Sequence, residues 1–418
     1  MKYAWLGLLL TGILSAGNQD SDWNVNRRYT VDSVTVAGKG WRSNVAEPSD
    51  RYSNGLRRDM LSLVGQKLNP AVLDGISARL KKEFDAREVD HHILRGDVPD
   101  HVRIEFEVKQ AGTRAVANLS KLVYNSRQGW SGGAMAGLAS HQNTVLFGVI
   151  SDGDTLVERF TGINARWENK HLGSDRLGLK FDFESYHEQW DPNTLHALAA
   201  APNVTSGPYR TRQSFSPTLS IALAKPLTLE VGAAFEQFGS PLANAPAEAA
   251  NLAVAALRYS LHTSDEDYPQ EVFADYNLRA ATRAMGSDFV FTSHLAGVHY
   301  RITHGRQKLT EAATVGAIAG RAPLSERFVA GNSYFLRGWN KYDIDPLGGN
   351  RIAHNTVDYR YGPFETFYDA GAIWDSGQPA IVRHSLGFGI RESVFTLAVA
   401  FPIRTGHVEP IFMMGMIY

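Results

Sequence analysis

The sequence predicts a mainly β protein, a transmembrane antiparallel β-barrel of sixteen strands by our count, preceded by a small α+β domain. Residues 29–110 contain both strand-like and helix-like hydrophobic patterns. From residue 115 to residue 418, apolar and polar side chains alternate with period two in segments separated by Gly, Asn, Asp, Pro and Ser. The connections between these segments are alternately short and long, which is typical of a barrel in an outer membrane.

Residues 1–17 predict a signal peptide. Lys2 precedes an apolar run, Ala4–Leu14, which ends in three small residues before the chain turns polar. The run is too short to cross a bilayer as a helix, so export is favoured over a membrane anchor. The rest of the sequence contains no apolar run of some 18 residues, and we therefore predict no membrane-spanning helix there.

The domain at 29–110 is predicted from three strand patterns and two helix patterns, in the order strand, helix, helix, strand, strand. The first helix follows the apolar stripe Leu56–Val64, and the second begins at Asn69 and Pro70, a cap and a first-turn proline. The strand-like segments lie at 30–36, 89–94 and 102–108. This order predicts a compact α+β unit.

Alternation alone does not separate a soluble sandwich from a membrane barrel, because both have one apolar face. The segment Arg176–Glu184 shows the pattern, with its apolar residues on one face and its charged residues on the other. Three features favour the barrel. The segments are long enough for a tilted membrane crossing, aromatic residues such as Trp167 and Tyr361 lie near their ends, and the tight turn 362–363 contrasts with the long connection 191–211.

The count of sixteen agrees with the even strand number of closed single-chain bacterial barrels. The segments lie near 115–126, 129–139, 143–151, 158–169, 175–190, 212–224, 226–239, 249–263, 270–285, 288–303, 306–321, 350–361, 363–374, 383–392, 393–402 and 408–418. The last segment places Phe412 and Tyr418 on one face, and we assign these two aromatic residues to barrel closure.

The composition argues against several functions. A net charge of -1 gives no general attraction for nucleic acid, and the absence of cysteine excludes disulfides, thiolate metal sites and cysteine nucleophiles. The histidines form no metal-binding motif and the chain has no phosphate-binding glycine loop, so we predict no metal and no cofactor. Residues 129–133 match G-x-S-x-G around Ser131, but a strand-like run follows where that motif requires a helix. We therefore predict no catalytic residue and no enzymatic activity.

The connection 321–350 is rich in Gly and Asn, and its tip places Arg337 between the apolar residues Leu336 and Trp339. A buried cation requires a partner, and Asp369, among aromatic and small residues of a later segment, is the candidate. Two alternatives remain open at this stage. Arg337 could be an exposed loop residue, and Asp369 could pair with Arg360 instead.

This part of the chain resembles the BamA/TamA-type outer-membrane assembly and translocation barrels, the bacterial surface antigen family. The matching residues are Glu326–Phe328 with the following Ala-Gly, Leu336–Trp339, Gly348–Asn350, Asp358, and Phe367–Gly371, in the family's order and spacing. Residues 29–110 are similar to a single POTRA domain, where the essential insertases carry several. Leu336 and Trp339 stand in for the family's Val and Phe or Tyr, which preserves the apolar flanks.

The resemblance implies that the loop 321–350 folds into the barrel lumen and is locked there by its arginine. The residues that it assigns to this lumenal lock are Arg337, Gly338, Asp358, Phe367, Asp369 and Gly371. It further implies a barrel in the bacterial outer membrane with the POTRA-like domain in the periplasm. The residues 115–418 would form that barrel.

The function that the resemblance implies is non-enzymatic insertion or translocation of client proteins at the outer membrane. The expected partners are outer-membrane lipid, unfolded client proteins and periplasmic accessory proteins, without nucleic acid. Two alternatives are a two-partner-type secretion pore for one dedicated substrate and a passive outer-membrane channel. The sequence leaves the client, and the choice between protein and lipid transport, open.

Overall fold

The structure, a computed structural model, describes residues 28–49, 51–84, 86–110, 112–140, 142–174, 176–201, 207–240, 246–263 and 267–416. The chain divides between residues 111 and 112 into two compact units. The signal-peptide prediction for residues 1–17 and the closure prediction for Tyr418 lie outside the described residues. Among the helices of the described ranges, none has the length and hydropathy needed to span a membrane.

The first unit is a four-stranded sheet with two helices. Its elements are β1 (Thr30–Gly38), β2 (Trp41–Asn44), α1 (Asn54–Leu61), α2 (Pro70–Glu83), β3 (Ala86–Arg95) and β4 (His101–Gln110). The strand order is β2-β1-β4-β3, in which only β1 and β4 are parallel. The α+β fold is as predicted except for β2, which at four residues is too short to show a period-two pattern.

Both helices of this unit begin at side-chain caps, of which Asn69 was predicted, and both cover the sheet with apolar side chains. Ser53 accepts a hydrogen bond from Leu56 N at 3.2 Å, and Asn69 accepts one from Ala71 N at 3.1 Å. The largest fully buried side chains of the unit come from both helices, from the sheet and from the connection between the helices: Leu56, Met60, Leu68, Leu73, Leu80, Ile104 and Phe106. Burying these side chains is the main favourable contribution to folding of the unit.

The second unit is a closed antiparallel barrel of sixteen strands, which confirms the predicted fold class. The strands are β5 (Arg114–Asn125), β6 (Gly129–Ser140), β7 (Asn143–Asp152), β8 (Arg159–Asn169), β9 (Leu177–Gln189), β10 (Thr211–Ala224), β11 (Leu227–Gly239), β12 (Glu248–Thr263), β13 (Gln270–Ala281), β14 (Val290–His304), β15 (Gln307–Arg321), β16 (Arg351–Tyr361), β17 (Phe364–Trp374), β18 (Arg383–Glu392), β19 (Phe395–Ile403) and β20 (Ile411–Met416).

Two connections that the sequence analysis treated as irregular contain helices, α3 (Pro192–Ala200) and α4 (Lys341–Ile344). The start of α3 has a local cause, because Asp191 accepts from Asn193 N at 2.8 Å and Pro192 occupies the first turn. Both helices lie within long connections that showed no sustained helical period. The prediction of irregular structure in these two connections is therefore wrong, while the predicted barrel is unaffected.

The strand faces separate an apolar exterior from a polar interior. On β7, Val145, Phe147 and Val149 are exposed on the outside of the barrel. On β16, Tyr359 and Tyr361 are exposed, while the alternating Asp358 and Arg360 face an internal cavity. This is the arrangement expected of a barrel surrounded by lipid, with a polar lumen.

One end of the barrel carries tight turns such as 305–306 and 362–363, and we call it the short-turn end. The opposite end carries the connections that contain α3 and α4, and we call it the long-loop end. The connection 322–350 between β15 and β16 is named the long loop.

The barrel closes through a short junction between its last and first strands. Among the described residues, which end at 416, Met413–Met416 of β20 pair with Leu122–Asn125 of β5, giving four residue pairs, whereas β14 and β15 form fifteen. Phe412 extends the junction by one step, since its backbone exchanges hydrogen bonds with Ser126 at 2.9 and 3.1 Å. Within the described residues, the stretch 114–121 of β5 has no partner on β20.

Candidate functional site

The long loop folds into the barrel interior and buries its tip there. Leu336 is 0% exposed and packs with Ile352 and Ile373 from the barrel wall, and Arg337 is 6% exposed. A charged side chain at this depth is stable only when its hydrogen-bonding groups are satisfied. The partners of Arg337 therefore determine how the loop is held.

The guanidinium of Arg337 is held by carboxylates from two neighbouring strands. Its Nε lies 3.0 Å from Asp369 Oδ2, its Nη2 lies 2.7 Å from Asp369 Oδ1, and its backbone N–H donates to Oδ2 at 2.9 Å. Nη2 also lies 2.7 Å from Asp358 Oδ1 and from Thr356 Oγ1. The Thr356 hydroxyl donates to Asp369 at 2.6 Å, and Asp369 is completely buried. Both charges of the pair are thus hydrogen-bonded as well as paired.

An aromatic ring completes the binding of Arg337. The guanidinium carbon lies 3.6 Å from the centroid of the Phe367 ring, a stacked cation–π contact, and Phe367 is buried. Burial lowers the pKa of Arg337, but the carboxylates of Asp369 and Asp358 raise it more, so the pKa lies above the ordinary arginine value. We call Arg337, Thr356, Asp358, Phe367 and Asp369 the Arg337 site.

The backbone beside Arg337 adopts conformations that few residues tolerate. Leu336 has a φ of 55° and Gly338 a φ of 105°. A Cβ at Gly338 would also come within 3.1 Å of Ser385 Cβ and 3.2 Å of the Phe401 backbone. Glycine is therefore required at 338, and a branched aliphatic residue at a positive φ is the kind of strain found at functional sites.

The remaining predicted residue of this group, Gly371, lies further along β17. A Cβ there would approach Ala353 O to 2.9 Å, which explains the glycine as a close contact with β16. Of the two alternatives left open by the sequence, the exposed Arg337 is wrong, since the residue is buried. Asp369 is bonded to Arg337, while Arg360 faces the cavity on the same wall.

A second buried cluster, not found by sequence reasoning, connects the long loop to the first barrel strand. Asp154, in the connection after β7, accepts from Ser333 N at 3.0 Å and from Lys121 Nζ at 3.2 Å. Lys121 belongs to β5, and its Nζ also lies 2.9 Å from Asp152. All four residues are less than 10% exposed. We call Lys121, Asp152, Asp154 and Ser333 the first-strand cluster.

Lys341 of α4 adds a further contact on the same side. Its ammonium group donates to Gly153 O at 2.7 Å and to Leu156 O at 2.5 Å, both in the connection after β7. Burial lowers the pKa of Lys341 to about 8, against the opposing effect of the nearby carboxylates. The ammonium form that donates these bonds still predominates at pH 7.

The base of the long loop is anchored by two more ion pairs. Arg279 on β13 binds Glu326 at 2.8 Å, and Arg327 binds Asp375 at 2.8 Å beyond the end of β17. Glu326 and Arg327 stand in the motif quoted from the sequence, but no local signal identified their partners. The long loop is therefore attached to β5, β13, β16 and β17, and so spans the barrel interior.

The first-strand cluster allows a direct stability test. We expect Lys121→Met to lower the free energy of unfolding by about 3 kcal/mol or more, because two carboxylates remain buried without their cation. The control is Lys180→Met, whose half-buried ammonium lies 3.3 Å from Asp182 on the lumenal wall, with an expected loss of at most about 1 kcal/mol. Urea unfolding in detergent measures both. Equal losses in the two variants would contradict the cluster's role.

The residues around Ser131 do not form the geometry that the G-x-S-x-G motif requires. Ser131 lies within strand β6, not in a strand-to-helix turn, and its hydroxyl accepts from Gly153 N at 3.0 Å. The G-x-S-x-G elbow geometry is thus not formed. In the part of the chain that the structure describes, no group of three or more His, Asp or Glu side chains could hold a metal ion.

The closed barrel, its apolar exterior and the loop folded into its lumen define an outer-membrane β-barrel. The chain belongs to the Omp85 superfamily, whose domain matches residues 159–391, more than half of the 418 residues. This agrees with the family resemblance found in the sequence. A comparison of the sequence with curated proteins found no match.

The solved structures that resemble this chain share its fold at low sequence identity. BamA from Haemophilus ducreyi lacking POTRA domains 1–3 has a TM-score of 0.65 and 14% identity, over 93% of this chain and 85% of that one. CdiB from Escherichia coli has a TM-score of 0.50 and 10% identity, over 93% and 76%. CdiB from Acinetobacter baumannii has a TM-score of 0.50 and 12% identity, over 93% and 74%.

Proposed function

We propose that this barrel inserts or translocates client proteins at the bacterial outer membrane without covalent chemistry. The observation that carries the proposal is the junction between β20 and β5, which has four residue pairs among the described residues, while every other neighbouring pair of barrel strands has at least six. Fewer backbone hydrogen bonds need to break there, so the junction is the seam at which an extended client strand would enter.

The long loop would stabilise the lumenal wall while this seam moves. The Arg337 site fixes the loop tip to β16 and β17, and the first-strand cluster fixes it to β5, one of the two seam strands. Opening the seam therefore requires β5 either to carry the loop with it or to release Lys121 from Asp154 and Asn125 from Ser333. In this proposal the Arg337 site is the permanent lock, and the first-strand cluster is the part that changes.

The unit at 29–110 would act as a periplasmic POTRA-like domain that receives clients. Its sheet ends in β3 and β2, so β3 offers a ten-residue strand edge to which an extended chain can add by backbone hydrogen bonds. In this proposal the short-turn end of the barrel, residues 115–418, faces the periplasm, and residues 1–17 direct export. Unfolded clients, outer-membrane lipid and periplasmic accessory proteins are the proposed partners.

The proposal is tested by depleting the protein and measuring the outer-membrane proteome by quantitative mass spectrometry. We expect a broad loss of β-barrel proteins, because many clients would share one seam. The control is the depleted strain with a wild-type copy, which should restore the proteome. Loss of one exported protein would indicate a dedicated secretion pore, and an unchanged proteome would indicate a passive channel; either result contradicts general insertion.

A further inference from the structure

The barrel lumen contains a cavity of about 290 Å³ between the tip of the long loop and the short-turn end. Its lining includes five cationic side chains, which project from four strands and from the long loop. Those groups are Arg301, Lys308, Arg337, Arg360 and Arg391, together with His299. Against them, only Asp358 and Glu365 among the cavity-lining residues carry negative charge.

The carboxylates of this region are already engaged. Asp358 binds Arg337 at 2.7 Å, and Glu365 binds Arg391 at 2.8 Å. Arg301 has its own partner outside the lining, Glu271, at 2.6 Å. With the buried Asp369 that also binds Arg337, four carboxylates face the five cations around the cavity, and three of those cations hold all four.

Lys308 and Arg360 are the two cations that remain. They occupy directly opposite positions in the register of β15 and β16 and both line the cavity. On its other side Arg360 is opposite Glu365 of β17, but that carboxylate binds Arg391. No carboxylate of the described residues lies within ion-pair distance of either side chain. Like charges directly opposite one another on a sheet are destabilising, and half-burial away from bulk water increases the cost.

We propose that this cavity binds a phosphate-bearing anion between Lys308 and Arg360. A dianion would neutralise both charges at once, and the planar fork of Arg360 suits two phosphate oxygens. The volume accommodates a phosphate group with part of its carrier or several waters, since one water occupies roughly 30 Å³. The anion could be free phosphate or the headgroup of a phospholipid that reaches the lumen from the short-turn end.

The first test is titration of the purified full-length barrel in detergent with inorganic phosphate, at fixed ionic strength, by calorimetry and thermal unfolding. We expect saturable binding and a rise in Tm with phosphate concentration, because a ligand that binds only the folded state stabilises it. Lys308→Gln and Arg360→Gln should each weaken binding at least tenfold and abolish the Tm rise. In phosphate-free buffer Lys308→Gln should be no less stable than the wild type, because it removes the repulsion between Lys308 and Arg360.

The matched control is Arg258→Gln, which removes a lumenal arginine that has its own carboxylate partner, Glu230, at 3.3 Å and lies outside this cavity. It should leave phosphate binding unchanged. A second titration uses short-chain phosphatidic acid, with short-chain phosphatidylcholine as the neutral comparison. Binding of phosphate alone indicates a free anion, and tighter, competing binding of phosphatidic acid indicates a lipid headgroup. Failure of both ligands to bind, or equal binding by the Lys308 and Arg258 variants, would overturn the proposal.

Discussion

Replacing Asp369 by alanine is expected to lower the free energy of unfolding of the barrel by about 3–5 kcal/mol, the usual effect of removing one partner of a buried ion pair. Asp369 is 0% exposed and accepts from three donor groups of Arg337 and from the Thr356 hydroxyl. Without it, the guanidinium stays buried with Asp358 as its nearest carboxylate. We expect Arg337→Ala to cost a similar amount, since it leaves Asp369 charged and unpaired.

The double variant separates pairing from independent effects. Because each single substitution already destroys the same interaction, we expect Arg337→Ala/Asp369→Ala to be little less stable than either single variant. Arg337→Lys should not restore stability, because an ammonium group cannot make the forked contacts with Asp369 and Asp358. Urea unfolding in detergent, followed by the electrophoretic shift between folded and unfolded barrel, measures all of these.

A control pair of the same residue types is available on the barrel wall. Arg166 and Asp182 form an ion pair at 2.6 Å, but Arg166 is 42% exposed. Replacing Arg166 by alanine should lower the free energy of unfolding by at most about 1 kcal/mol, because water screens the charges. Fully additive losses at Arg337 and Asp369, or losses no larger than those of the control pair, would show that the loop is not held by this interaction.

The barrel could be predicted from the sequence because its determinants are local. Alternation with period two is visible within each segment, and the turn residues between segments are Gly, Asn and Pro. Strand β2 was missed because four residues do not establish a period, and α3 was missed because Asp191 and Pro192 were considered only as part of a loop. In each case the signal was too short to outweigh the surrounding pattern.

The Arg337 site and the first-strand cluster differ in how far they could be predicted from the sequence. Arg337 and Asp369 were paired because both stand in apolar surroundings, where an unpaired charge is costly, and the family resemblance pointed to the same residues. Lys121, Asp154 and Ser333 are separated by up to 212 positions, and each looks like an ordinary polar residue in its own segment. Only closure of the barrel, which brings β5 beside the long loop, places them in contact.

The cationic cavity could not be predicted from the sequence either. Lys308 and Arg360 become neighbours through the register of β15 and β16, and that register depends on where the long loop begins and ends. A shift of one residue would have moved one of the two side chains to the outer face. The sequence suggested Arg360 as an alternative partner of Asp369 but offered no means to find Lys308 as its neighbour.

A covalent link across the seam between β20 and β5 is expected to abolish client insertion. Tyr124 and Met414 are register partners at this junction, and directly opposite residues in an antiparallel pair are close enough for a disulfide. The chain has no cysteine, so Tyr124→Cys/Met414→Cys introduces the only two thiols. If clients enter through this seam, joining its strands covalently should abolish client insertion while leaving the barrel folded.

The matched control joins two strands elsewhere in the wall. Leu257 and Tyr276 are register partners on β12 and β13, and both are exposed on the outer face of the barrel. Leu257→Cys/Tyr276→Cys therefore adds the same covalent link without restraining the seam. The two single-cysteine seam variants control for loss of the aromatic ring and of the methionine.

The most direct measurement is the outer-membrane proteome of cells in which the seam-linked variant is the sole copy, compared before and after reduction of the disulfide. While the seam is disulfide-bonded, the proposed mechanism predicts the same loss of outer-membrane proteins as in depleted cells. Reduction of the disulfide should restore the wild-type proteome. Cells with the control pair should have a wild-type proteome before and after reduction. A wild-type proteome in cells whose seam is fully disulfide-bonded would contradict insertion or translocation through the β20–β5 junction.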